Sequence, residues 1–327
     1  MVTIKEMAQE LGVSTTTVSN VIHGKTKEVS PANIERIQKI LKKYDYTPNI
    51  NARNLASKRS KIIGFLIKSK QNKVANRFED PFIGGILGAI ERHVRQKGYY
   101  LMVYAVDDVH QVQQFTMSWN MDGLITSGFV EGDIRYLKER FKNPIAIIDD
   151  YDTNGLGNCA NIRIEDEQAE YLLTKYVISC GHRKLAFLAD NLVNLDKIRF
   201  QGFCRALKEA NIPVSKEENF IQIYSSDAGE PQNMDEIYEK SFSYTALLCA
   251  SDYYAVHIEN MLLGRGRKIP EEISIAGFDD VPISRIVRPA LTTVRQDIQA
   301  KGIAAVEELL KLIESALDEE EGENHEK

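Results

Sequence analysis

Between Ser14 and Val21 the chain carries Thr15, Thr16, Thr17, Ser19 and Asn20, a run of short polar side chains. A helix that starts with small hydrogen-bonding residues approaches nucleic-acid base edges closely, as the second helix of a helix-turn-helix does in the major groove. The competing reading is a generic two-helix corner, which many globular proteins contain. Other chemistry finds less support. There is no Gly-x-Ser-x-Gly, no phosphate-loop lysine motif and no zincin motif. The glycine-rich Phe82–Gly88 lacks dinucleotide spacing and opens an amphipathic helix, so close packing accounts for it. His182, in Gly181-His182-Arg183, is expected to shape a turn before a strand. Cys159, Cys180, Cys204 and Cys249 lie far apart without a Cys-x-x-Cys, which points to structural thiols. The expectation is a non-enzyme that needs no cofactor and no metal.

Thr3 and Glu6 have capping-box spacing, and Ile4, Met7, Ala8 and Leu11 then share one helical face. Gly12 ends that helix, and Ser14 caps a second whose Val18, Val21 and Ile22 face inward. Ser30-Pro31 opens a third, with Ile34, Ile37, Ile40, Leu41 and Tyr44 on its buried face. Asn51–Ala56 is a short helical candidate, marginal in isolation.

Beyond residue 60, apolar runs at Ile62–Ile67, Tyr100–Tyr104, Gly123–Thr126 and Ile145–Asp149 alternate with helical stretches such as Phe82–Gln96. A second set follows at Lys184–Leu188, Phe220–Tyr224, Ala246–Ala250 and Ser274–Ala276. Alternation of this kind predicts parallel sheets flanked by helices, in two lobes. A last helix is expected at Asp297–Leu317, followed by a charged disordered tail over 318–327.

Charge divides the chain. Residues 1–60 hold ten Lys/Arg against five Asp/Glu, a net of +5, while the whole chain is −6 and the remainder therefore −11. A basic end on an acidic body is the footprint of a DNA-binding module on a sensor. No apolar run approaches membrane-spanning length and no secretory signal pattern opens the chain, so a cytoplasmic location is expected.

On its motifs the chain resembles the lactose/galactose repressor (LacI/GalR) family of bacterial transcription regulators. These are the amino-terminal Thr3-Ile4-x-x-Met7-Ala8, Gly12-Val13-Ser14-x-x-Thr17-Val18-Ser19 and the hinge Pro48-Asn49-x-x-Ala52-Arg53-x-Leu55. In the body they are Gly181–Leu188, Arg199–Phe203, Ser274–Asp280 and Pro289–Gln296, in the family's order.

The resemblance implies an α/β architecture: a three-helix helix-turn-helix domain (1–46), a hinge helix and linker (47–60), and a two-lobed periplasmic-binding-protein-like core (61–317). The first lobe would hold about 61–160 and 293–317, the second about 161–292, with three crossings between them. It further implies base reading by Thr15, Thr16 and Asn20, where many members have arginine in place of Asn20. A hinge of Asn51, Ala52 and Leu55 would enter the minor groove, with Leu55 as a wedge. Lys68, Asp149, Arg199, Ser251, Asp279 and Gln296 would line an effector cleft, with Arg199 and Asp279 paired on sugar hydroxyls or, alternatively, forming an interlobe salt bridge. The implied partners are a palindromic double-stranded operator, a sugar or sugar-phosphate effector and a second copy of the chain as homodimer. The basic stretch Lys68–Arg77 raises the sugar-phosphate option. A repressor of carbohydrate genes follows; a purine or protein corepressor, or a solute-binding protein without DNA, are the alternatives.

Overall fold

Capping chemistry sets the amino-terminal helices. In the computed structural model, which describes residues 2–22, 24–46, 59–68, 78, 80–150, 155–224 and 231–325, α1 (Ile4–Leu11) begins at Thr3. Thr3 Oγ1 accepts from Glu6 N at 3.2 Å, and Thr3 N donates to Glu6 Oε2 at 2.8 Å. This satisfies two donors that a helix start leaves without partners. Gly12 closes α1 at φ 67°, a left-handed conformation that glycine adopts without a Cβ clash. Ser14 Oγ accepts from Thr17 N at 3.0 Å and so caps α2 (Thr15–Ile22). Ser30 caps α3 (Pro31–Lys43), with Pro31 at its first position.

Met7, Ala8, Val18, Ile37 and Ile40 form the buried centre of these helices, surrounded by Leu11, Val21, Ile22, Leu41 and Tyr44. Ile34, expected on the buried face of α3, is half-buried and outside that cluster. Glu10 pins α1 to α3, accepting from Lys43 Nζ at 2.8 Å and from Tyr44 OH at 2.7 Å.

The chain forms two compact units, Met1–Ser60 and Lys61–Lys327. The second starts with β1 (Ile62–Lys68), α4 (Pro81–Gln96), β2 (Tyr100–Val106), α5 (Val112–Trp119), β3 (Gly123–Ser127), α6 (Glu131–Arg140), β4 (Ile145–Ile148) and β5 (Cys159–Ile162). These strands pair in the order β2-β1-β3-β4-β5, each pair parallel. Then come α7 (Asp166–Ser179), β6 (Leu185–Ala189), α8 (Asn194–Glu209), α9 (Lys216–Asn219), β7 (Phe220–Gln222), α10 (Met234–Ser241), β8 (Ala246–Cys249), α11 (Asp252–Gly264), β9 (Ser274–Asp279) and β10 (Thr292–Arg295). Their order is β10-β9-β8-β6-β7, again parallel. Finally α12 (Ile298–His325) returns to the first sheet, burying Ala305, Val306, Leu309, Leu310 and Ile313 against Ile63, Phe65 and Ile125. Helices on both faces explain why β3 and β6 read as continuous apolar runs: neither face of either strand meets water.

Several boundaries differ from expectation. β5 and β10 carry Asn161, Thr292, Thr293 and Arg295 and lie at sheet edges, half exposed, so they lack the apolar signal of central strands. β5 carries the first lobe to Ile162. β10 belongs to the second sheet, so the return to the first lobe begins at Gln296, not at 293. The described residues make two crossings rather than three, because α12 stays on the first sheet. The tail expected to be disordered is helical to His325. Its glutamates are good helix formers, and extending an existing helix avoids the cost of nucleation. Among the described residues no helix is long and apolar enough to cross a membrane.

Candidate functional site

In the first unit, Val18 is buried and fixes the roll of α2, leaving Thr15 and Thr16 exposed on its first turn. Asn20 lies one turn beyond Thr16 on the same side and is half-buried. Thr17 turns its hydroxyl to Ser14 Oγ at 2.8 Å and serves the cap. The exposed hydroxyls, the carboxamide and the positive end of the helix form one compact patch of hydrogen-bonding groups. The expected hinge residues Asn51, Ala52 and Leu55, and the basic stretch from Ser69 to Arg77, lie outside the described residues.

In the second unit the polar residues gather where parallel α/β sheets bind ligands, beyond the carboxyl ends of the strands. Lys68 ends β1, Asp149 follows β4, Ser251 follows β8 and Asp279 ends β9. With Arg199 from α8 and Gln296 from the crossover, all six line one cavity of about 200 Å³. Phe82, Phe129 and Tyr253 line it too, giving apolar ring surface beside hydrogen-bonding groups. Such a mixture suits a small polyhydroxylated or aromatic ligand. Gly128 is required at the rim: at φ 78° a Cβ would stand 2.2 Å from the Lys68 carbonyl oxygen.

Arg199 is the anchor of the second-lobe wall. Its Nε donates to Asp166 Oδ1 at 2.9 Å, Nη1 donates to the Ala250 carbonyl, and the guanidinium lies 3.6 Å from the centre of the Phe278 ring. Burial opposes its charge, but Asp166, Asp279 and Asp196 outweigh that and hold it above its ordinary value. Asp279 is 4.0 Å from Arg199, and its Oδ1 accepts from Gln296 Nε2. Burial pushes the Asp279 carboxyl up to about 8, against the pull of Arg199. Both Arg199 and Asp279 belong to the second lobe, so the interlobe salt bridge considered from sequence is absent from this pair; the primary partner of Arg199 is Asp166.

Three other side chains also have partners that sequence did not reveal. Lys68 Nζ is held by Asp133 at 2.7 and 2.6 Å, and Asp133 in turn accepts from Val130 N at the start of α6. Ser251 caps α11, its Oγ accepting from Tyr254 N at 3.4 Å. Asp149, at φ 60°, is gripped by Lys301 of α12. Burial raises its carboxyl, and Lys301 opposes the rise.

Sequence reasoning missed Lys301 and Asp166, which hold Asp149 and Arg199, and the lining residues Asn194, Asp196 and the aromatic rings. Asp80 was missed as well, although Asp80-Pro81 carries a helix-start signature and Phe82 N donates to Asp80 Oδ1 at 2.9 Å. Of the glycines at the start of α4, Gly85 packs closely as expected, a Cβ there standing 3.3 Å from Ile298, whereas Gly84 and Gly88 are exposed and a Cβ at Gly88 would meet nothing within 4 Å. His182 lies before β6 with Nδ1 3.0 Å from Thr245 Oγ1, in the turn role expected of it.

Comparison with known proteins gives two family matches. Residues 3–49 match the model described as bacterial regulatory proteins, lacI family, and residues 174–326 match the periplasmic binding protein-like domain. The ribose operon repressor of Haemophilus influenzae is 30% identical over 323 residues, covering 96% of this chain and 93% of the relative. The HTH-type transcriptional repressor PurR of the same species is 29% identical, covering 96% and 91%. Among solved structures, the lac repressor dimer bound to operator and the anti-inducer ONPF aligns with a TM-score of 0.81 at 26% identity, covering 96% of this chain and 93% of that one. A CelR–cellobiose complex shares the fold, with a TM-score of 0.67 at 21% identity, covering 97% and 94%.

Proposed function

This chain belongs to the LacI family of bacterial regulatory proteins, and we propose that it acts as a dimeric repressor of carbohydrate genes whose cleft ligand releases it from operator DNA. The observation that carries the ligand half is the convergence of six polar side chains, from the strand ends of both sheets, on one aromatic-lined cavity. The carbohydrate class draws support from the ribose operon repressor, 30% identical along nearly the whole chain. Thr15, Thr16 and Asn20 would read base edges, with Asn20 favouring adenine. Two copies related by a twofold axis would set their α2 helices about one DNA turn apart and read a near-palindrome in the cytoplasm. Leu55 would wedge the central base step.

Ligand binding must bias the lobes and the hinge by a finite free energy. Weakening operator binding about 100-fold requires roughly 2.7 kcal/mol of coupling, within the usual range. A second reading, a purine corepressor, is favoured by Phe82, Phe129 and Tyr253, whose rings would also stack on a planar base.

Thermal unfolding of the purified chain against neutral sugars, sugar phosphates, uronic acids and purines separates the two. A ligand at about 100 times its Kd adds roughly 2.7 kcal/mol and moves the midpoint by several degrees. A shift with a sugar supports the inducer reading. A shift with purines alone, and DNA affinity rising with that purine, would replace it.

A further inference from the structure

Lys301 is a cation set just behind the cleft wall. It lies on the first turn of α12, 5% exposed, and its ammonium donates to Asp149 Oδ1 at 2.7 Å, Asp149 Oδ2 at 2.8 Å and Gln296 Oε1 at 2.7 Å. An ammonium has three donors, and here each has an acceptor. The third bond also orients Gln296: with its oxygen taken by Lys301, its Nε2 faces Asp279 Oδ1. Asp149 closes a strand of the first sheet and Asp279 a strand of the second, so one continuous network runs from wall to wall.

The cations of the lining are committed in the same manner. Lys68 is held by both oxygens of Asp133, and Arg199 by Asp166 and the Ala250 carbonyl. The starts of α4 and α6 are occupied by the carboxylates of Asp80 and Asp133. An anion entering this cavity would meet carboxylates and cations already neutralised among the described residues. Burying its charge there would be costly, whereas hydroxyl groups can share the carboxylate lone pairs that remain.

We propose that Lys301 is a positioning residue that sets the ligand class of the cleft: by fixing Asp149 as an acceptor and Gln296 in one orientation, it selects a neutral polyhydroxyl ligand over one bearing phosphate or carboxylate. The inference rests on the effector reading above and narrows it.

The test uses the full-length wild type and the variants Lys301→Met, Lys301→Arg, Asp149→Asn and the double Asp149→Asn/Lys301→Met. Unfolding midpoints are measured with and without inorganic phosphate at matched ionic strength. Lys301→Met leaves Asp149 buried without its cation and should unfold at lower temperature; Lys301→Arg should recover part of the loss. The double variant should regain at least half of it, because neither partner is then orphaned. Asp149→Asn releases the ammonium, so phosphate should raise its midpoint by several degrees more than it raises that of Lys301→Met, which has the same DNA-reading helices. Wild type and Lys301→Met should respond to phosphate alike. Phosphate stabilising the wild type more than Lys301→Met would make Lys301 an anion receptor and overturn the proposal, as would additive losses in the two single variants. Both readouts run without sugar. If they come out as expected while no sugar stabilises the wild type, the effector reading fails and takes the ligand class with it, but the pairing stands.

Discussion

At the scale of single residues, the cleft is governed by which charges are buried together. Arg199 and Asp166 are both almost fully buried, and removing one partner of such a pair costs about 3–5 kcal/mol. Arg199→Ala should therefore lower the unfolding midpoint strongly as well as abolish ligand binding, and unchanged stability would contradict the anchoring role. Asp279→Asn is the cleaner probe of recognition: it keeps shape and burial, and isothermal titration should show ligand affinity reduced by about tenfold or more with little loss of stability.

The buried carboxyls also fix a pH dependence. Burial pushes Glu170 up to about 8 and Glu259 to about 7, and neither oxygen of Glu259 has a hydrogen-bond partner among the described residues. Their unfolded values lie near 4.3, so the folded chain retains protons that the unfolded chain has released. Their contribution to stability is present in full below the unfolded value, falls as pH rises and is gone once pH has passed through about 7 to 8. Glu170→Gln should lessen the fall in midpoint between about pH 6 and about pH 9; a slope equal to that of the wild type would contradict this assignment. Residues such as Arg199 and Asp279 were legible because they sit within motifs of recognisable order. Lys301 was not: in sequence it is one lysine on a long amphipathic helix, and only the fold brings it to Asp149 across 152 positions.

At the scale of elements, local chemistry and tertiary packing divide the work. Ser14→Ala removes the α2 cap and should cost about 0.5–2 kcal/mol, weakening DNA binding together with the stability of the first unit. Stability unchanged by circular dichroism would argue against the cap. Gly202 lets α8 approach α7 so closely that a Cβ would stand 2.1 Å from the Glu167 carbonyl oxygen. Gly202→Ala should cost about 1–3 kcal/mol and also weaken ligand binding, since these two helices carry Arg199 and Asp166; normal ligand affinity would uncouple the helix pair from the site. The helix starts at Thr3, Ser14 and Ser30 were readable because a cap is a short-range device. The edge strands β5 and β10 were not, since pairing with a distant strand makes Cys159–Ile162 and Thr292–Arg295 extended, and nothing in four half-polar residues announces that partner. The helical extension to His325 escaped for a related reason: charge density favours solvation, but attachment to a formed helix lets good helix formers continue it.

At the scale of the whole molecule, a unit of net charge +5 reads DNA while a body of −11 senses the ligand. The charge asymmetry confines phosphate attraction to one end, so operator affinity should fall steeply with salt while ligand affinity should hardly change. The central claim is that occupancy of the cleft controls operator binding. The most direct measurement takes a duplex selected from random DNA by the full-length protein and follows its binding by fluorescence anisotropy with and without the sugar that stabilises the wild type, for wild type and Asp279→Asn. The account predicts that the sugar weakens wild-type binding by about 100-fold and leaves Asp279→Asn on the DNA. Operator affinity that is indifferent to the sugar, or that rises with it, would contradict the account.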